Sequence, residues 1–430
     1  MERYDSYKDS GVEWIGEIPE GWQVVELKHK YYFETGFTPS TDREDYYDED
    51  GIPWVTIADM HSPTIKDTKS HIAQKYIDEF NPSIIPCGSL LYSFKLSVGL
   101  TSILNCDAYT NEAIASFKPN VNPCLEFLKY SSFQILNSAN RNIYGAYILN
   151  STLIANASIV FPPLNEQVEI AAFLDNKTSQ IDSLIEKNKK SIELLEEYRK
   201  SIISEAVTKG LDPNVPKKDS GVEWIGKIPE GWHVDKARRL FDQIGSGTTP
   251  KSDDSSYYDG EYFWIQSGDL GNVYLENTAK SVTNKALERY SALKVYRSPF
   301  LVVAMYGASI GNSSLSLVDA CVNQACCVLA QCAGVINYYK YSLIAAASAL
   351  VDMGIGGGQP NISQDKIKSF KMPCPSEEEQ RNIVHYLDQK TAQIDSLIDK
   401  KKQLIEKLQE YRKSLISECV TGKIKVPGVE

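Results

Sequence analysis

No stretch of this chain approaches the roughly 18 uninterrupted apolar residues of a membrane-spanning helix, and the opening MERYDSYKDSGVEW has neither the basic nor the apolar region of a signal peptide. A chain with neither is expected in the cytoplasm, away from membranes. The cysteines, Cys87, Cys106, Cys124, Cys321, Cys326, Cys327, Cys332, Cys374 and Cys419, form no CxxC pair, which predicts reduced and mostly buried small apolar side chains. The GxxxxGK[ST] string that cradles phosphates is missing. The nearest glycine-rich run, residues 354–358, leads into Gln359-Pro360-Asn361 instead of a helix, so a flexible loop is expected there and not a dinucleotide or methyl-donor site. His29, His61, His71, His233 and His385 show neither HExxH nor paired ligand spacing, which leaves no zinc hydrolase and no metal site. There is no GxSxG elbow and no NPP[YF]-like string for a flipped base; Phe161-Pro162-Pro163-Leu164 is a superficial echo.

Positive charge is also scarce. The formal net charge is -11, whereas an isolated DNA-binding domain usually carries a basic excess. Residues 22–163 hold 10 Lys and Arg against 15 Asp and Glu, and residues 232–376 hold 13 against 12. Any binding to nucleic acid must rest on local patches or on basic partners.

What the chain does have is a repeat, and at 430 residues it has room for two to four domains. DSGVEWIGEIPEGW at 9–22 returns as DSGVEWIGKIPEGW at 219–232, with 13 of 14 positions identical. Residues 166–209 match 379–422 at 28 of 44 positions, with QIDSLI and EYRKS unchanged. Between these anchors the halves diverge, although Thr38-Pro39, Tyr46-Tyr47-Asp48 and Trp54 keep partners in Thr249-Pro250, Tyr257-Tyr258-Asp259 and Trp264.

The matched C-terminal segments read as long helices: proline-free, rich in Glu, Lys, Leu and Ile, each opening after a proline. Seven-residue spacing runs through Leu174, Ile181, Asn188, Leu195 and Ile202, flanked by Ile185 and Ile192. It recurs as Leu387, Ile394, Lys401, Leu408 and Leu415, with Ile398 and Ile405. This is a coiled-coil seam, and about 44 residues of helix make a rod of roughly 65 Å, long enough to act as a spacer. Asn188 and Lys401 interrupt it at the same place, either to fix register or simply in solvent.

The divergent segments carry short runs such as IPWVTIADM, SLLYSFKLSVGLTSIL, EYFWIQSGDL and PFLVVAMYGASIGNSSLSLV between turn residues, which predicts strands, with helices near 124–140 and 335–352. The expected fold is α+β: two related globules separated by two long antiparallel coiled-coil helices, in a pseudo-twofold repeat. Residues 1–163 form the first lead-in and globule, 164–210 the first helix, 211–376 the second lead-in and globule, 377–423 the second helix, and 424–430 a tail.

On these residues the chain resembles the specificity subunits of type I restriction-modification systems over nearly its full length. The resemblance rests on the EIPEGW lead-ins, the GxTPS and GTTPK turns before YYD and the central Trp, the segment Gln359-Pro360-Asn361-Ile362-Ser363, and above all PPLNEQ and PSEEEQ followed by FLD or YLD, QIDSLI and EYRKS. It implies that each globule is a target-recognition domain reading one half of a split, asymmetric DNA site, while the helices set the spacing and dock two methyltransferase subunits. It also implies that endonuclease and translocase subunits complete the complex, that S-adenosylmethionine, ATP and Mg are held by partners, and that this chain is not catalytic by itself. A noncatalytic scaffold or transcriptional DNA binder with the same frame is the alternative; the opening methionine and complete second helix argue against a fragment of a fused nuclease-methyltransferase.

Base edges are read by Arg, Lys, Asn and Gln, whereas Ser, Thr and Tyr position on phosphates. The expected contacts in the first globule are Thr38, Ser40, Tyr46, Tyr47, Lys95, Ser97 and Arg141. In the second they are Thr249, Lys251, Tyr257, Tyr258, Tyr306, Ser309, Gln359 and Asn361. Each has a packing alternative, the Tyr pairs above all, and Trp14, Trp22, Trp224 and Trp232 are expected to be core or linker anchors.

Overall fold

Four consecutive buried residues, Leu90–Ser93, already mark a sheet covered on both sides. A computed structural model describes residues 2–271, 273–354 and 361–428, in two compact units: Met1–Lys187 with Leu404–Glu430, and Asn188–Gln403. Each unit takes part of both long helices.

In the first unit a five-stranded sheet runs Glu34–Thr35, Ile114–Phe117, Leu90–Ser93, Thr101–Leu104, Thr64–Ile65. Alternation splits its side chains between two cores. Leu90 and Tyr92 meet Leu128, Ile135 and Ile159, whereas Leu91 and Ile114 meet Val55, Ile85 and Leu104. A second sheet, Tyr109–Thr110, Tyr47–Val55, His71–Ile72, pairs Trp54 with Tyr109 in parallel and His71 with Pro53 antiparallel.

The second unit repeats this order strand for strand. Its sheets are Phe241–Ser246, Cys326–Cys332, Phe300–Ala304, Ser313–Ser316, Tyr274–Leu275, and Ala320–Val322, Tyr258–Ile265, Lys280–Val282. Leu301 and Val303 face one core and Phe300, Val302 and Ala304 the other, which is why FLVVA carries no polar alternation. The expected helices are Leu125–Ser131, continued by a tighter turn Ser132–Ser138, and Ile336–Ala345 with Ala347–Asp352.

The long helices span Leu164–Lys209 and Glu377–Val420. Their openings explain the NEQ and EEQ strings. Glu166 accepts the indole N–H of buried Trp22 at 3.0 Å, and Glu379 that of Trp232 at 3.1 Å. The glutamine beside each donates backward to a proline carbonyl, Gln167 to Pro162 at 2.8 Å and Gln380 to Pro375 at 3.1 Å. Ser376 and Glu379 also cap the second helix reciprocally. More than two turns on, Asp175 accepts Tyr130 Oη at 2.5 Å and Lys129 Nζ at 2.8 Å, tying globule to helix. In the second unit Asp388 accepts Tyr341 Oη at 2.5 Å, and Lys340 Nζ lies 3.7 Å away. Lys340 is only 2% exposed, between the rings of Tyr274 and Tyr341, and burial pushes its ammonium pKa down to about 8.

The helices pair antiparallel within each unit. In the first, Leu174, Ile181 and Ile185 pack with Ile405, Leu408 and Leu415, and Arg412 Nε pairs with Asp182 at 3.0 Å. In the second, Ile192, Leu195 and Ile202 pack with Leu387, Ile394 and Ile398, and Arg199 Nε pairs with Asp395 at 3.0 Å. The two interruptions face each other, Lys401 donating to Asn188 Oδ1 at 3.3 Å, as a register device requires.

Trp22 and Trp232 are buried anchors, and Trp224 stacks on Phe370. Trp14 departs from expectation at 40% exposure. Cys321, Cys326, Cys327, Cys374 and Cys419 are buried and all nine cysteines are unpaired; burial pushes the Cys321 thiol up to about 12, so it stays a neutral apolar group. Among the described residues no helix is long and apolar enough to cross a membrane, and no group of His, Cys, Asp and Glu is placed to hold a metal.

Candidate nucleic-acid interface

A close backbone approach builds the first cluster. A Cβ on Gly36 would fall 1.7 Å from the carbonyl oxygen of Thr110, so only glycine lets the Gly36–Ser40 turn lie against the end of that strand. Phe37 N–H donates to Thr110 O at 2.9 Å, and Trp54 Nε1 to Phe37 O at 3.0 Å. Tyr47 Oη holds Pro39 O at 3.2 Å. The turn thus fixed aims the exposed Thr38 hydroxyl at Glu112, to whose carboxylate it donates. The loop Phe94–Gly99 joins the same place, because Phe94 N–H donates to Ala113 O at 2.9 Å. It projects Lys95 and Ser97, with Leu96 in a left-handed conformation and 93% exposed. The Thr38 hydroxyl foremost, aided by the Lys95 charge, holds the Glu112 carboxyl below its ordinary value.

The second unit builds the same cluster with other side chains. A Cβ on Gly247 would meet Val322 O at 1.7 Å, Tyr258 Oη donates to Pro250 O at 2.6 Å, and Thr249 donates to Gln324 Oε1 at 2.6 Å. Lys251 is exposed on that turn, its N–H held by Tyr290 Oη at 3.2 Å. Tyr306 takes the place of Lys95; it is 46% exposed and bridges Asn361 through the backbone. Ser309, half-buried, lies in the same loop.

Of the expected contacts, then, Thr38 and Lys95 come together, as do Thr249, Tyr306 and Asn361. Ser40 and Ser97 are exposed beside the first group. Tyr46 and Tyr257 do not belong: both are buried, Tyr46 packing edge-on against Tyr76 and donating to Glu79 at 3.0 Å, Tyr257 edge-on against Tyr290. Tyr47 and Tyr258 are half-buried, their hydroxyls committed to the turns. Burial takes the rings of Tyr46 and Tyr257 away from any ligand, whereas the hydroxyls of Tyr47 and Tyr258 hold the turns in place. Arg141 sits apart on the hairpin Asn140–Arg141 and Tyr147–Ile148, stacked 4.5 Å from the Tyr147 ring. Gln359 lies outside the described residues.

Glu112 and Gln324 were not anticipated. Their signal was present, because Asn111-Glu112-Ala113 and Asn323-Gln324-Ala325 stand 212 residues apart, between the offsets of the two matched anchors. In both units the Asn Oδ1 accepts the Ala N–H, closing the same turn. A carboxylate-free stretch is also on this face of the composition: no Asp or Glu occurs between Glu126 and Glu166, or between Asp319 and Asp352. Acidity averaged over the chain hides these neutral-to-basic segments.

Comparison with known proteins agrees with this doubled architecture. The type I restriction modification DNA specificity domain matches residues 19–194 and again 229–407. The specificity subunit of the MjaIX type I restriction enzyme of Methanocaldococcus jannaschii is 23% identical, over 96% of this chain and 95% of its own length. The HsdS subunit from Thermoanaerobacter tengcongensis superposes with TM-score 0.55 at 17% identity, covering 95% of this chain and 98% of that one. A chain from a study of complex assembly and conformational transition in a type I R-M system superposes with TM-score 0.74 at 18% identity, covering 95% and 99%.

Proposed function

Because the chain belongs to the family of type I restriction modification DNA specificity domains, carrying that domain twice, we propose that it is the DNA-sequence-reading subunit of a type I restriction-modification complex. Each unit reads one half of a bipartite double-stranded site. The observation that carries this reading is the repeated cluster: one strand order, one glycine-dependent turn and one threonine brace in both units, presenting Glu112 and Lys95 in one and Gln324 and Tyr306 in the other. One scaffold with two sets of hydrogen-bonding groups suits an asymmetric target. Contacts are proposed for Thr38, Ser40, Lys95, Ser97 and Arg141, and for Thr249, Lys251, Tyr306, Ser309, Gln359 and Asn361.

The remaining roles are proposed with it. The paired helices set the spacing between half-sites and dock two methyltransferase subunits, and endonuclease and translocase subunits complete the complex. S-adenosylmethionine, ATP and Mg act on those partners in the cytoplasm, and this chain contributes no catalysis. Co-expression with its methyltransferase subunits, followed by mapping of methylated adenines by long-read sequencing, tests the proposal. A single split motif that vanishes when this chain is deleted is the expected result. Methylation unchanged by the deletion would overturn it.

A further inference from the structure

The two clusters differ at one topologically equivalent position in a way that has a chemical reading. Glu112 and Gln324 both follow an Asn that closes the same turn, both are exposed, and both accept a hydrogen bond from a threonine on the glycine-dependent turn. A carboxylate only accepts, and has about four acceptor positions of which Thr38 fills one. An amide whose oxygen is engaged by Thr249 has its Nε2 amino group left to offer. The same brace thus delivers acceptor character in the first unit and donor character in the second. The neighbours sharpen the contrast: Phe94 bonds to Ala113 and Met305 to Ala325 through matching backbone hydrogen bonds, so Lys95 adds donors beside the Glu112 turn where the second unit has Tyr306.

Resting on the DNA-reading function proposed above, we propose that Glu112 and Gln324 are specificity-determining residues that each read one base pair in their half-site. Glu112 accepts from the N4 amino group of a cytosine while Lys95 donates to the O6 and N7 of its paired guanine. Gln324 donates to a base acceptor, a purine N7 or a thymine O4. The threonines are positioning residues that hold these side chains for the groove.

The test is Glu112→Gln in the full chain, co-expressed with its methyltransferase subunits and read by motif mapping; Gln retains an oxygen for Thr38, so the brace survives. The first half-site is expected to change or relax at one C·G pair while the second stays as it was, and binding of the purified complex to the original site to weaken roughly ten- to hundredfold. Gln324→Glu is expected to do the same to the second half only, and carries the test if the first variant fails to fold. A motif unchanged in both variants, a first half-site without any C·G pair, or loss of methylation at folded complexes of both variants would overturn the assignment. Wild-type chain that yields no split motif would instead overturn the DNA-reading function itself.

Discussion

Lys401 Nζ lies 3.3 Å from Asn188 Oδ1, joining the two residues that break otherwise apolar seams. Along the seam itself the helices otherwise meet through Ile and Leu, flanked by the Arg412–Asp182 and Arg199–Asp395 ion pairs, so a slip of register carries the Lys401–Asn188 pair against apolar residues and leaves its polar groups unsatisfied. Asn188→Leu, which denies Lys401 its amide acceptor, is expected to cost about 1 kcal/mol in denaturant unfolding. Combined with Lys401→Leu it should recover that loss or exceed wild type, the non-additivity marking a direct coupling. Equal, additive losses would show that the contact does not fix register.

Glu379 holds two partners, the indole of Trp232 and the capping serine Ser376. Glu379→Ala is expected to destabilise by about 2 kcal/mol, combining a lost cap with a buried indole N–H left unpaired. Glu379→Gln, which still accepts from Trp232, should lose less than half as much. Chemical denaturation monitored by tryptophan fluorescence distinguishes them.

Lys340 makes stability depend on alkaline pH. Its pKa is depressed by burial from 10.5 to about 8, so below pH 8 both folded and unfolded chains carry the charge and the burial penalty is fully present. Between pH 8 and 10.5 the folded chain releases the proton first, and stability rises with pH, by up to roughly 3 kcal/mol in all. Buried thiols such as Cys321, raised in the folded chain, work in the opposite sense over the same range, so the measurement is the difference in melting between wild type and Lys340→Met from pH 7.5 to 9.5, which should shift in favour of wild type as pH rises. A difference independent of pH would place the ammonium in water.

Gly36 and Gly247 are required by carbonyls 1.7 Å from where a Cβ would stand. Gly36→Ala must push the turn off Thr110, at a cost of roughly 1 to 3 kcal/mol, and carry Thr38 away from Glu112. Methylation mapping should show relaxed recognition of one half-site only, and Gly247→Ala should relax the other. Relaxation of both halves by either variant would contradict independent readers.

Much of the framework was legible because it repeats. The helices and their seams follow from heptad spacing that two copies confirm, and the NEQ and EEQ strings were visible as motifs although not as indole acceptors. The tyrosine pairs Tyr46-Tyr47 and Tyr257-Tyr258 recur beside turns that both units share, and the structure shows them packed beneath those turns or bonded to them, which their spacing alone does not distinguish from exposed contacts. Glu112 and Gln324 escaped notice for another reason. They differ, and they lie some 75 residues from the threonines they face, so only the sheet connecting Tyr109–Thr110 to Trp54 brings each pair together. Half-assignment of each helix to each unit was equally hidden, because helical spacing says nothing about what the outer ends pack against.

That sharing has a consequence for biosynthesis. The first unit contains residues 404–430, so on the ribosome the core that joins its lead-in and first helix to those residues must wait while all of 188–403 is made. During that interval Ile170, Leu174 and Ile181 have no Leu415, Cys419 or Val420 to cover them. The second unit, uninterrupted in sequence, has all its residues once 403 is made, so the core closed by the end of the second helix is the last part of the chain able to form.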